Sequence, residues 1–367
     1  MKRIIIMIAL IMVGTVCYPT YTRNFLEHVF FDRLPNARVE SMGKILSVDR
    51  GGYLLSQSNP ALLAELRGIS LSYANSAPYY YKREQFESHF AEIIYDLGKY
   101  GVAAINLLHI DWGERSINYP VHIDLYNMSQ NIISATYSNK IGKVLSVGMN
   151  INYYYSDFYT CYIGRRDFLS SSLDESGYRE SSLFFDLGLS GQYQTLDSDY
   201  ISGDIIIGSY LKNILQSDIT AQGVDPTDPS ILRVGASHKI VYYHPRFDII
   251  DYLIGLELAI EYQYPINYDY RTGWKYGTEL SLLDILFLRA GYYKESLADR
   301  VYFKEQISST TYGAGIKIDL RRLKKDFLPL TISLDYASLS QTEFKDYDEF
   351  ERDNFKNLSV NVRYVLH

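Results

Sequence analysis

Cysteine is nearly missing from this 367-residue chain; only Cys17 and Cys161 occur. If Cys17 leaves with an N-terminal leader, Cys161 stands alone, so neither a disulfide framework nor thiol chemistry is expected. Positive charge is also short. There are 36 Lys and Arg against 43 Asp and Glu, a net charge of -7. That balance argues against nucleic acid as a partner, which calls for a basic patch. After the first thirteen residues no apolar run is long enough to cross a bilayer as a helix, which needs about 20 residues. The sequence has no H-E-x-x-H, no G-x-S-x-G and no phosphate-binding loop. Its seven histidines (His28, His89, His109, His122, His238, His244 and His367) have no metal-ligand spacing. Ser88-His89 and Ser237-His238 are adjacent pairs, and neighbours on a strand point to opposite faces, so neither forms a dyad. No catalytic residue, metal ligand or cofactor is expected.

Tyrosine is abundant: 36 residues, against 16 Phe and 2 Trp. Tyrosine suits strands and also membrane–water boundaries, where the ring is buried and the hydroxyl stays wet. Composition alone leaves a tyrosine-rich soluble sandwich and a membrane barrel both open. The N-terminus shifts the balance between them. Lys2 and Arg3 precede an apolar run from Ile4 to Val13, followed by Gly14 and Thr15. This is the order of a secretory signal peptide, assigned to residues 1–17 with cleavage between 17 and 22. An exported chain without a transmembrane helix is either soluble outside the inner membrane or a β-barrel.

Residues 18–66 show no regular alternation and carry the turn signals Gly51-Gly52 and Ser58-Asn59-Pro60. They are expected to form a plug, with residues 67–367 as the barrel. From Ile69 the chain alternates with period two. Leu145, Val147, Met149, Ile151 and Tyr153 share one face, and Ser146, Gly148, Asn150 and Asn152 the other. About fourteen such segments occur, most of ten residues or more, as tilted membrane strands require. The connections mostly alternate. The stretches 113–130, 158–180, 213–229, 295–308 and 340–354 are long and polar, whereas Gly98-Lys99-Tyr100-Gly101, Asn139-Lys140-Ile141-Gly142 and 283–284 are tight. Short turns at one end and long loops at the other mark an outer-membrane barrel, here of a Gram-negative-type bacterium.

In that geometry the apolar face meets outer-membrane lipid and the polar face the lumen. Asp186, Glu257, Glu261, Glu279, Arg289, Asp335 and Arg363 are then expected in the lumen, since a midplane arginine on the lipid face would cost about 2–4 kcal/mol. Glu279 and Arg289 lie at similar distances from the turn near Leu283 and are expected to face each other. Tyr153, Tyr155, Tyr292 and Tyr364 fit an aromatic girdle. The basic run Arg321-Arg322-Leu323-Lys324-Lys325 falls in a predicted periplasmic turn, and the segments 79–83 and 346–353 in predicted outer loops.

Val48-Asp49-Arg50-Gly51-Gly52 with Ser58-Asn59-Pro60-Ala61-Leu62-Leu63 resembles the "NPA" signature of FadL-type outer-membrane barrels. Gly208 to Asn213, then Leu232-Arg233-Val234-Gly235, together with Gly277-Thr278-Glu279 and Leu288-Arg289-Ala290-Gly291, resemble its PorV/PorQ branch. The resemblance runs from about Ser41 to the C-terminus. It implies a fourteen-stranded barrel with a plug that contains Asn59, Pro60 and Ala61. It marks Asn213, Arg233, Gly235, Gly277 and Gly291 as family-like strand positions. The usual terminal aromatic is replaced by Leu366-His367.

Three functions stay open from sequence. The PorV/PorQ branch implies a part in type IX secretion, with secreted cargo or secretion-system proteins as partners. The wider FadL family implies a channel for hydrophobic small molecules such as long-chain fatty acids. A soluble periplasmic β-protein is the third. Large apolar residues facing the lumen would favour the channel, with Phe184, Phe287 and Tyr154 as candidates. A sealed lumen lined by charge would favour the secretion role.

Overall fold

A computed structural model describes residues 36–51, 55–77, 87–118, 122–164, 174–218, 230–243, 252–266, 272–296, 306–320, 329–340 and 354–364. The leader, the basic run at 321–325 and the segments 79–83 and 346–353 lie outside the described residues.

Fourteen antiparallel strands close into one barrel. They are β1 (Ile69–Ala77), β2 (Glu87–Asp96), β3 (Val102–Asn118), β4 (His122–Ile141), β5 (Leu145–Gly164), β6 (Asp174–Asp197), β7 (Ile201–Asp218), β8 (Ile231–Tyr242), β9 (Ile254–Pro265), β10 (Thr272–Leu282), β11 (Leu286–Ser296), β12 (Gln306–Asp319), β13 (Leu330–Ser340) and β14 (Asn354–Tyr364). Each pairs with its sequence neighbours, and β1 closes on β14 with Ile69 opposite Tyr364. Closure leaves no strand edge unpaired, a requirement for backbone in lipid. Eleven residues rise roughly 37 Å, or about 28 Å along the axis at a tilt near 40°, which matches an apolar belt of ~25 Å.

The outer surface bears that belt. Leu71, Ile93, Ile105, Leu107, Ile133, Leu258, Leu288 and Ile316 point outward and are exposed. Tyr153, Tyr292 and Tyr364 also face outward, at about 40% exposure each. So continuous an apolar exterior is untenable in water. It is the surface of a membrane-spanning barrel.

The strands from β3 to β7 are longer than the alternation indicated. β6 has 24 residues and β4 and β5 have 20 each. Much of the sequence expected as loop at 113–130 and 158–180 is therefore strand, as is 213–218. The reason is solvation. Beyond the bilayer both faces of a strand are wet, so the apolar–polar contrast that reveals it disappears.

Residues 36–51 and 56–66 lie inside the barrel and are almost wholly buried. A short helix, α1 (Ala37–Ser41), starts at Asn36, whose side chain accepts from the Arg38 and Val39 amides. A tight turn follows through Gly43 and Lys44, both at positive φ. Two 3₁₀ turns, Leu55–Gln57 and Pro60–Glu65, complete the described segment.

Candidate functional site

The lumenal segment follows the wall from β14 round to β4. Glycine decides where it can sit. Three directly cross-paired glycine couples face the lumen: Gly277 with Gly291, Gly208 with Gly235, and Gly148 with Gly188. A Cβ on Gly277 would lie 2.6 Å from the Met42 carbonyl oxygen, and one on Gly148 2.5 Å from the Pro60 carbonyl oxygen. On Gly208 it would strike the Ser47 carbonyl. Each couple is a socket for backbone. Gly235, Gly277 and Gly291 were marked in sequence as family-like positions; Gly208 only opened a family-like motif, and Gly148 and Gly188 were not marked.

The Asn59-Pro60-Ala61 motif fills the third socket. The Asn59 side chain accepts from the Ala61 amide at 3.1 Å and donates to the Ser47 and Leu189 carbonyls, both at 2.9 Å. Pro60 sits at the first helical position, where its missing N–H costs nothing. One side chain thus caps a helical turn, ties two parts of the lumenal segment and fixes both to β6.

Below this segment, toward the short-turn end, lies a buried ion lattice. Arg38 meets Asp49, Glu257 at 2.9 Å and Glu279 at 3.1 Å. Glu279 stands directly opposite Arg289 and bonds it at 2.6 Å, the pairing expected from their distances to the turn. Arg289 also holds Asp335. Arg50 reaches Asp204, the Ser237 hydroxyl at 2.9 Å and Glu257 at 3.6 Å. Burial works against the Arg38 charge, but Glu279, Glu257 and Asp49 outweigh it and hold the guanidinium firmly protonated. Burial also pushes the Asp49 carboxyl above its ordinary range, although Arg38 opposes it. Arg38 was missed in sequence because its segment has no period to single it out, and Asp49 and Arg50 stood there only as part of a family-like motif, with no role assigned.

Above the segment, Glu261 accepts the Leu46 and Ser47 amides at 2.8 and 2.6 Å and pairs with Lys275 at 3.5 Å and Arg233 at 3.8 Å. Asp186 accepts from Asn150, Asn152 and the Asn213 amide at 3.1, 2.9 and 2.9 Å. Asn213 has φ 57°, and the β6–β7 register shifts beside it, between Leu183 and Leu187. Arg363 joins neither cluster; it bonds the Arg67 carbonyl at 3.1 Å.

The wall is not charged all round. On β2 to β4 one lumen-facing row reads Phe90, Leu108, Ile132, each directly opposite the next, with Ala74 on one flank and Tyr154 on the other. Ile110 lies one row toward the long-loop end, beside Ser88 and Gln130. Phe184 lies one row inward, opposite Asn152. Phe90, Leu108 and Phe184 are 1% exposed and Ile132 3%. Immediately beneath, Glu92, Asn106 and Ser134 bind Ser56 and Gln57 of the lumenal segment. Of the three expected candidates, Phe184 and Tyr154 belong to this apolar sector. Phe287 also faces the lumen but lies on the opposite side, beside the ion lattice, with the Arg289 guanidinium 5.4 Å from its ring centre.

No protein-family model matches the chain, and no curated protein sequence does. Several solved structures are similar in fold. A Pseudomonas aeruginosa FadL homologue aligns at 12% identity over 90% of this chain and 98% of its own, with a TM-score of 0.48. The Ralstonia pickettii toluene transporter TbuX aligns at 11% identity over 90% and 98%, with a TM-score of 0.48. The Pseudomonas putida toluene transporter TodX aligns at 12% identity over 89% and 96%, with a TM-score of 0.47.

Proposed function

We propose that this chain is an outer-membrane barrel of a Gram-negative-type bacterium that passes small hydrophobic or amphiphilic compounds. In this reading residues 1–17 are the export leader and residues 18–66 the plug. One observation carries it: the row Phe90–Leu108–Ile132, with Ile110 next to Leu108 on the same face and Phe184 one row inward beyond Asn152, makes an apolar sector inside the lumen beside the plug. Binding sites for apolar ligands are lined in this way, with a few polar groups for orientation. Gln130 and Tyr154, bonded to each other at 2.9 Å, supply polar groups at its edge. The wall is closed to water here, so loading requires the lumen to part at this sector.

The test is binding of a fluorescent alkyl compound to the purified barrel. Leu108→Asp is expected to weaken binding at least about tenfold, because it places a charge where apolar contact is needed. Leu107→Asp, one residue away on the lipid face, is expected to leave binding unchanged in protein that still folds. Equal binding by wild type and Leu108→Asp would overturn the reading.

A second reading has its own support. The plug is fastened by a buried ion lattice and by glycine sockets on six strands, as suits a sealed barrel whose outer loops hold secreted cargo or secretion-system proteins. Deletion of the gene would then release cargo from the cell surface while alkyl uptake is unaffected.

A further inference from the structure

Between the plug and the short-turn end of the barrel is a cavity of about 110 Å³. Five cations face it: Arg38, Arg50, Lys239, Arg289 and Lys317. Three carboxylates do: Glu279, Asp284 and Asp335. Each carboxylate on the wall is already engaged. Glu279 is held by Arg38 and Arg289, Asp335 by Arg289, and Asp284 by Lys317 at 2.7 Å. Asp49, Glu257 and Asp204 stand behind the guanidinium groups of Arg38 and Arg50, off the cavity wall.

Lys239 differs. Among the described residues it makes no ion pair within 4 Å; Glu257, opposite it on the next strand, and Glu279 feel its charge only through space. Its ammonium lies 4.9 Å from the Tyr252 ring centre and donates to the Tyr252 hydroxyl at 3.3 Å. Aromatic and hydroxyl partners orient an ammonium without neutralising it. The cavity therefore combines one cation without an ion pair, guanidinium edges close by, and room for a few heavy atoms. Lys317, a third exposed at its rim, places the opening at the short-turn mouth.

We propose that this cavity is an anion site, which takes one carboxylate or phosphate group with Lys239 as its charge partner. The site stands apart from the apolar wall and does not depend on the channel reading. The anion has two possible sources: a free solute at the periplasmic mouth, or the head of an amphiphile that has passed the plug. Lys239 supplies the point charge. Arg50 and Arg289, held rigid by their own carboxylates, present donors in fixed directions.

The experiment is calorimetric titration of the full-length barrel in neutral detergent, at constant ionic strength, with inorganic phosphate, hexanoate and hexanol. Lys239→Met and Lys239→Arg are compared with wild type, and folding of each is checked by its faster gel migration before boiling. Phosphate or hexanoate should bind the wild type, weaken about tenfold in Lys239→Met and recover in Lys239→Arg. Phosphate binding alone identifies a free solute; preference for hexanoate identifies an amphiphile head. If phosphate binds with Lys239 dependence while hexanoate and hexanol show nothing, the anion site stands and the channel reading loses support. Anion binding indifferent to Lys239→Met, or no anion binding by the wild type, overturns the site.

Discussion

Replacing Arg38 by methionine removes one positive charge from the centre of three carboxylates. Asp49, Glu257 and Glu279 then remain in a space from which water is excluded, each no more than 3% exposed. Breaking a buried pair by deleting one partner costs about 3–5 kcal/mol, most of it the stranded charge on the other side. At 1.36 kcal/mol per decade, that raises the population of the unseated plug by about two to nearly four orders of magnitude. The assay is thiol labelling of a cysteine placed at Ser47, whose amide is held by Glu261 on the far side of the lattice. Labelling in the Arg38→Met chain should quicken by that factor, and conductance across a planar bilayer should rise. The quadruple change Arg38→Met, Asp49→Asn, Glu257→Gln, Glu279→Gln should recover most of the protection, because a neutral lattice strands no charge. If Arg38→Met labels no faster than its parent, the lattice does not hold the plug and the reasoning fails.

Other substitutions test separate contacts. Gly208→Val should cost about 1–3 kcal/mol by overpacking and loosen the plug in the same labelling assay, since its new carbons meet the Ser47 carbonyl. Asn59→Ala removes a cap worth about 1 kcal/mol and two further bonds, so its labelling should fall between wild type and Arg38→Met. Asn213→Val forces a branched side chain into the left-handed region and should lower the unfolding midpoint, whereas Asn213→Gly should leave it close to wild type. Asp49 has a raised value in the folded state, so its contribution is full below the ordinary aspartate range and fades as pH rises through that value. Labelling across a pH series should therefore slow less on acidification in Asp49→Asn than in wild type.

Strand number and facing were legible in the sequence because lipid and lumen impose opposite chemistry on alternate residues. Glu257 and Arg289 could be placed in the lumen on that ground alone. The extensions of β3 to β7 were not legible, because a strand wet on both faces has no contrast. The apolar row was hidden for the reverse reason. On β2 to β4 both faces carry large apolar residues, as in Leu107 beside Leu108 and Ile132 beside Ile133, so no face stands out. Phe184 was noticed because its neighbours Ser182 and Asp186 are polar. The glycine sockets had a usable signal: Gly148, Gly188 and Gly208 each occupy a lumen-facing position, where a missing side chain asks what approaches. Arg38 had none, since its segment takes its shape from the wall, and Arg50 had only its place in a family-like motif.

On the proposed channel function, an apolar compound in the lumen lies against the wall of β2 to β4. A diazirine-bearing alkyl compound, photolysed with the purified barrel and located by mass spectrometry, tests this at single-residue resolution. Labels on Phe90, Leu108, Ile132 or Phe184 are expected. Labels confined to the outward neighbours Leu107 and Ile133 would show that the compound only coats the exterior, and would contradict the claim.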